Sequence, residues 1–385
     1  MTDSTRDPAE VAAWVRLTAT PGVSAQAGRR LLAAFGLPQA VLALDPARLR
    51  DAAEPAVARA LAAPPDAEVS ARIDRTLRWL DAPGHHLVTM ADAAYPARLL
   101  DLADPPLVLY VNGRAERLQA PSLGIVGARH ATAQGARNAQ TFASAFSDAG
   151  LTVVSGLALG IDAAAHAAAL EGPGGTVAIV GTGVDIVYPA RHHKLAHQIV
   201  DAGGAIVSEF PLGTPGLPNH FPRRNRIIAA LARGVLVVEA AERSGSLITA
   251  RLASEIGREV FAIPGSIHAE LSRGCHKLIR QGAKLVESAA DVFEEFADLT
   301  PAAPSTAAGT AAGAAAGAKA GQAAAPLASP VGDALGAVLA YDPVTLDALC
   351  DGTGMTAEAV SAALLQLELA GAAERLPGNR FRRLA

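Results

Sequence analysis

Cysteine is nearly absent: Cys275 and Cys350 are the only two in 385 residues. They stand far apart, giving neither a disulfide framework nor metal-ligand spacing, so a reducing compartment is expected. Aromatic residues make up only 4% of the chain. No apolar run approaches the roughly 18–20 residues a membrane span needs, so no membrane partner is expected. The N-terminus carries Asp3, Asp7 and Glu10 and lacks a basic-then-apolar signal pattern, which points to a cytoplasmic location. Positive charge is not in excess either, since the formal net charge is −4. Whole-chain charge speaks to solubility and not to a local site, so any nucleic-acid surface has to be sought in clusters. A Walker A sequence, a Gly-x-Ser-x-Gly elbow and a complete Gly-x-Gly-x-x-Gly are all missing. Those absences argue against P-loop ATP hydrolysis, hydrolase chemistry and dinucleotide-dependent redox chemistry.

What is present divides the chain into four parts. Residues 1–84 read as short helices. Thr20-Pro21-Gly22-Val23-Ser24 forms a turn between two amphipathic stretches. This is the form of a helix-hairpin-helix or SAM-like module, whose amides can meet a phosphate. A helical packing module with no nucleic-acid role gives the same pattern. Residues 85–298 open with extended runs at 86–89 and 107–111, each preceded by proline and expected as short edge strands. Apolar strands follow at 123–127, 151–155, 176–181, 205–208, 235–239, 259–263 and 284–286, alternating with helical segments. Short, fully apolar strands between helices predict an α/β fold, a Rossmann-like doubly wound, mostly parallel sheet. Residues 299–330 are Ala, Gly, Pro, Ser and Thr with little else, a composition expected to form a flexible linker. Residues 331–385 give helices at 333–339, 345–349 and 357–369, then a hairpin across Pro377-Gly378-Asn379. That is the order of a winged helix, a fold used for DNA contact and for protein interaction alike.

In an open α/β sheet, ligands bind beyond the carboxyl ends of the strands. Those ends read Gly127-Ala128-Arg129, Ser155-Gly156, Gly181-Thr182-Gly183, Ser208-Glu209 and, before a helix, Ser244-Gly245-Ser246. Small residues allow close backbone approach and supply N–H and O–H donors, so together they suggest a phosphate-bearing ligand across the sheet edge. The sharpest local signal is Asn219-His220-Phe221-Pro222-Arg223-Arg224-Asn225-Arg226, running into a helix at 227–231. Pro222 suits a first helical turn, which sets Arg223, Arg224 and Arg226 on or beside the helix N-terminus. Cations at the positive end of a helix dipole conflict with it unless an anion compensates. Guanidinium forks match phosphate oxygens, and Phe221 offers a stacking face. Pairing with Glu209, Glu239 or Glu242 is the competing use, expected for at least one of the arginines. A second basic stretch, Arg273 to Lys277 with Arg280 and Lys284, either flanks the same edge through Lys277 or is a solvated helix face.

Asp162 and His166 lie one helical turn apart near Ser155, and a triad can be drawn through them. A helix cap and a side-chain pair is the simpler reading. His192, His193 and His197 lack a third ligand of clear spacing. No catalytic residue, metal or cofactor is therefore expected.

Taken in order, these segments resemble the signature of the DprA/Smf family of bacterial DNA-processing proteins. The resemblance rests on Gly127-Ala128-Arg129, on the run from Ser155 to Asp162 with Ala165-His166, and on Gly181 to Asp185 with Tyr188-Pro189. It continues through Ser208 to Pro211, Phe221 to Ala229, Ser244 to Ala250 and Phe261 to Gly265, spanning Tyr95 to Glu287. It implies a non-enzymatic protein that binds single-stranded DNA with little sequence preference. It further implies self-association as a homodimer and loading of the RecA recombinase in natural transformation. Carried over to this chain, the family's site falls on Arg129, Arg223, Arg224, Asn225 and Arg226. The strand-end reading adds Gly127, Ser155, Gly156, Ser244, Gly245, Ser246 and Lys277. Leu159 stands where the family commonly has a basic residue. The alternative is a phosphoribohydrolase-like nucleotide-processing enzyme. Its Gly-rich segment, Gly172 to Thr176 here, precedes a strand instead of following one.

Overall fold

The computed structural model describes residues 7–296, 335, 339 and 343–384. Six helices form first: α1 (Pro8–Ala19), α2 (Ala25–Phe35), α3 (Pro38–Leu42), α4 (Pro46–Ala52), α5 (Pro55–Ala62) and α6 (Ala67–Leu80). Their starts are written in the sequence. Proline opens α1, α3, α4 and α5, where a missing N–H loses nothing. Asp7, Asp45 and Asp66 accept the orphan amides of the first turns of α1, α4 and α6. Helix α1 buries two faces. Leu17 joins Leu31, Val41, Leu49 and Leu61 inside the helical cluster, while Val11, Trp14 and Val15 pack against Leu87, Leu107 and Tyr110 of the sheet. Each such fully buried side chain contributes roughly 1.5–3 kcal/mol.

The sheet holds β1 (His85–Thr89), β2 (Val108–Gly113), β3 (Ser122–Val126), β4 (Thr152–Ser155), β5 (Thr176–Ile179), β6 (Ala205–Ser208), β7 (Gly234–Val237), β8 (Glu259–Ala262) and β9 (Lys284–Leu285). Its order is β1-β2-β6-β5-β4-β3-β7-β8-β9. Pairings from β6 across to β9 are parallel, and β1 and β2 pair antiparallel at one end. The strand expected at 107–111 is therefore not an edge strand. It lies between β1 and β6, and only β1 takes the edge.

Helices α7 (Ala133–Asp148), α8 (Ile161–Ala169), α9 (His193–Asp201), α10 (His220–Leu231), α11 (Ser246–Glu255), α12 (Arg273–Arg280) and α13 (Ala289–Glu294) complete the alternation. The period-2 pleat sorts residues to two faces. Leu123 and Ile125 meet Phe142 and Phe146 of α7, whereas Val126, Val235 and Val237 meet Ile227, Ile228 and Ala250 of α10 and α11. Strands buried on both faces explain their uninterrupted apolar sequences.

The C-terminal unit is described by itself. It contains β10 (Val344–Thr345), α14 (Leu346–Thr353), α15 (Ala357–Leu369), β11 (Ala373–Leu376) and β12 (Arg380–Arg383), with strand order β10-β12-β11. Gly378 and Asn379 both take positive φ, 83° and 55°, as a tight hairpin turn requires. Phe381, Leu349, Val360 and Leu364 form its core with Leu335 and Leu339. Of the helix expected at 333–339 only Leu335 and Leu339 are described, joined by a 2.8 Å bond from the Leu339 N–H to the Leu335 carbonyl. The linker expected at 299–330 lies outside the described residues. No described helix is long and apolar enough to cross a membrane.

Candidate nucleic-acid interface

Strands β3 and β7 are neighbours, yet the chain leaves them in opposite directions, through α7 to β4 and through α11 to β8. A crevice opens at such a switch point, beyond the carboxyl ends of the strands. Here it is a cleft of about 330 Å³ lined by Gly127, Arg129, Phe221, Asn225, Gly245 and Ser246, among others. Gly127 is required for its wall, because a Cβ there would sit 2.6 Å from Ile161 Cγ1 and 3.0 Å from the Glu239 carbonyl. The Ile161 N–H donates to the Ala128 carbonyl at 3.2 Å and seats α8 beneath the Gly127 loop.

Several groups face the opening. Arg129 is exposed, with its guanidinium 5.6 Å from the centre of the Phe221 ring. Phe221 lies against Gly181, where a Cβ would approach the ring to 3.0 Å. Asn225 Nδ2 donates to the Gly245 carbonyl at 3.4 Å, tying α10 to the loop before α11. The Ser244 and Ser246 hydroxyls lie 2.6 Å apart at the α11 N-terminus. An exposed cation, hydroxyl donors, a helix N-terminus and an aromatic face are the parts needed to hold a phosphate with its base.

The arginine cluster corrects the sequence reading. Helix α10 starts at His220, so Arg223, Arg224 and Arg226 fall in its second turn, where the dipole has largely decayed. Arg226 is 6% exposed and pairs with Glu209 at 2.5 Å and Asp104 at 3.3 Å. Arg223 also reaches Glu209, at 3.1 Å, but keeps about half its side chain in solvent and lies over the Phe210 ring. Burial pushes the Glu209 carboxyl up, and Arg226 and Arg223 draw it back down. Arg224 is 4% exposed and donates through Nη1 to the carbonyls of Gly156 and Ile179. Burial lowers its guanidinium to about 10, with Asp162 acting in the opposite sense, so it stays charged at neutral pH. Arg226 thus braces the sheet edge from inside and does not line the cleft, whereas the nearly buried Arg224 forms part of the cleft's inner wall.

Two further positions turn inward. Ser155 Oγ donates to the Ile125 carbonyl at 2.6 Å and is fully buried. Gly156 backs the Arg224 guanidinium so closely that a Cβ would lie 2.2 Å from Nη2. The Gly156 and Ala158 amides donate to Asp162 Oδ2 at 3.1 and 3.3 Å, so Asp162 shapes the loop after β4. Lys277, on α12, lines a different cleft with Arg243, Arg251 and Arg258. It does not line the cleft at the β3–β7 switch.

The imagined triad dissolves on inspection of its hydrogen bonds. Thr176 Oγ1 donates to the Val153 carbonyl at 2.7 Å, so His166 Nδ1–H donates to Thr176 Oγ1 at 2.6 Å. His166 Nε2 then accepts the Leu157 N–H at 3.2 Å. Burial, with Arg224 nearby, lowers this imidazole from 6.5 to about 3. Between those values the unfolded chain binds a proton there that the folded chain does not. Stability therefore falls on acidification through that window, by at most roughly 1.4 kcal/mol per pH unit. Denaturation at pH 7 and pH 5 checks this. The loss on going to pH 5 is expected to shrink in His166→Gln, and equal losses in both proteins would mean the ring is not held neutral.

The segment weighed against the nucleotide-processing alternative, Gly172 to Thr176, leads into the start of β5, at the end of the strand away from this cleft. Among the described residues no group of His, Cys, Asp and Glu is arranged to hold a metal ion.

The profile of the family described as DNA recombination-mediator protein A matches residues 86–297. The chain belongs to this family. A second profile, the DprA winged helix domain, matches residues 318–379 and agrees with the fold of the C-terminal unit. Protein Smf of Escherichia coli is 41% identical over 313 residues, covering 80% of each chain. DNA processing protein DprA of Streptococcus pneumoniae is 47% identical over 208 residues, 54% of this chain and 73% of that one. The crystal structure of the S. pneumoniae family member superposes with a TM-score of 0.64 at 38% identity, over 74% of this chain and 98% of that one. The family member from Helicobacter pylori gives 0.50 at 28% identity, over 55% and 96%.

Sequence reasoning singles out Phe221 as an expected stacking face, and the residue lines the cleft. It names Glu209 as a partner for at least one arginine, but misses that Glu209 holds two at once and that Tyr188 stands beside Phe221, 5.3 Å between ring centres. Spacing carries no signal for either, because each partner comes from a different loop.

Proposed function

We propose that this chain binds single-stranded DNA in the cleft at the β3–β7 switch point, without catalysing a reaction on it. The observation that carries the reading is Arg129, exposed and stacked on Phe221 beside the Ser244–Ser246 turn. Arg129, Arg223 and the α11 N-terminus supply phosphate contacts, and Asn225 and Phe221 meet the sugar or base. Gly127 and Gly245 allow the strand to approach the backbone. A recessed cleft of about 330 Å³ has room for a nucleotide turned out of a strand, but not for stacked, paired bases of a duplex. The H. pylori relative, described as having a unique single-stranded DNA binding mode, supports this reading, as does the family's description as a recombination mediator. In that context the chain acts as a cytoplasmic homodimer that protects incoming DNA and helps load the RecA recombinase.

The test is a salt-titrated comparison of single- and double-stranded oligonucleotides. Single strands are expected to bind more tightly, with log K falling linearly as log salt rises. Equal affinity for duplex, or release of free base from nucleoside monophosphates, would overturn the reading.

A further inference from the structure

Tyr188 lies outside the buried core and does not line the cleft at the β3–β7 switch. Its side chain is 49% exposed, and it is the only Phe, Tyr or Trp in the exposed class among the described residues. A solitary exposed aromatic is ordinary on a protein surface. The neighbours of this one are not. Its ring centre lies 5.3 Å from that of Phe221, at an interplanar angle of 36°. The Arg129 guanidinium also lies over the Phe221 ring, 5.6 Å from its centre. Gly216, in the loop before α10, packs under the tyrosine ring, and a Cβ added there would lie 3.2 Å from Cδ2. The ring is thus flanked by Phe221 and Gly216 while about half of the residue stays exposed to solvent. Exposed Leu217, 43% accessible, adds apolar surface on the same loop. Exposed Arg191 and Lys194 follow within a few residues of Tyr188.

We propose that Tyr188 is a second base-binding position, a stacking platform for an unpaired nucleobase next along the strand from the nucleotide at Arg129 and Phe221. The proposal rests on the single-stranded reading of the cleft and adds a direction to it, from the β3–β7 crevice toward the end of β5. Every base has a π-face, so the platform is tolerant of sequence and blind to charge. A pre-held ring also loses little freedom when a base settles on it.

The two kinds of contact separate by their salt dependence, because stacking releases no counterions and phosphate contacts do. Full-length wild type, Tyr188→Ala, Tyr188→Phe and Arg129→Ala are titrated with oligothymidylate across a range of salt. An oligonucleotide of the same length made of abasic sites serves as a second ligand. Tyr188→Ala is expected to weaken oligothymidylate binding roughly five- to a hundredfold at every salt concentration, with an unchanged salt slope. Tyr188→Phe restores the affinity, and on the abasic strand Tyr188→Ala and wild type coincide. If Tyr188→Ala binds oligothymidylate like wild type while Arg129→Ala is weakened, the platform is refuted and the cleft reading stands. An equal loss on the abasic strand also refutes it, since no base is then involved. If wild type itself binds no single-stranded DNA, the cleft reading fails and the platform with it.

Discussion

Arg224→Ala is expected to lower the stability of the fold by roughly 1–3 kcal/mol, the cost of leaving a buried polar group without its partner. The loss has two sources. Burial pushes the Asp162 carboxyl up, and the variant removes the Arg224 charge that draws it back down. The carbonyls of Gly156 and Ile179 lose the donor they share. Because Arg224 offsets the burial of the Asp162 carboxyl, adding Asp162→Asn to Arg224→Ala should recover part of the stability, a coupling that a double-mutant cycle measures. Asparagine still offers an oxygen to the Gly156 and Ala158 amides, so the loop after β4 keeps its acceptor. Arg224→Lys is expected to recover less, because a single ammonium does not reproduce the fork that reaches two carbonyls. Denaturant unfolding of the five proteins, Asp162→Asn alone included, decides the matter. An Arg224→Ala protein as stable as wild type, but weaker for DNA with a reduced salt slope, would place this arginine at the phosphate backbone after all.

The second large effect belongs to the exposed cations. Arg129→Ala combined with Arg223→Ala is expected to lower affinity for single-stranded DNA roughly ten- to a hundredfold at low salt. The dependence of log K on log salt should flatten by about 0.7 for each phosphate contact removed. Stability should change little, because surface substitutions usually stay within about 0.5 kcal/mol. Arg223 adds a smaller share than Arg129, since Glu209 already holds it at 3.1 Å and neutralises part of its charge. Arg129→Lys keeps the charge but gives up the guanidinium plane that lies over Phe221, so it should fall between wild type and alanine. An unchanged slope in the double variant would mean that neither side chain meets phosphate.

Set side by side, these two variants separate roles that adjacent letters of the sequence do not distinguish. Arg223, Arg224 and Arg226 share one motif and one helix. Successive side chains on a helix diverge by about 100°, so neighbours in sequence face different surroundings. Here Arg223 and Arg226, three apart, share the side toward Glu209, while Arg224 projects beneath the loop after β4.

The order of strands and helices was legible in the sequence, because a strand buried on both faces must be apolar throughout and a helix start needs its proline or aspartate. So were the family and the rim of the cleft, since close backbone approach at the strand ends leaves little choice but Gly and Ser. Tertiary structure alone decided which charges remain free. Glu209 comes from the end of β6 and Asp104 from the segment before β2, both remote in sequence from the arginines they pair with. It also set Lys277 on a separate cleft and brought Tyr188 beside Phe221. Pattern reports a residue's chemistry and its local direction, whereas burial and pairing depend on elements that meet only when the chain closes on itself.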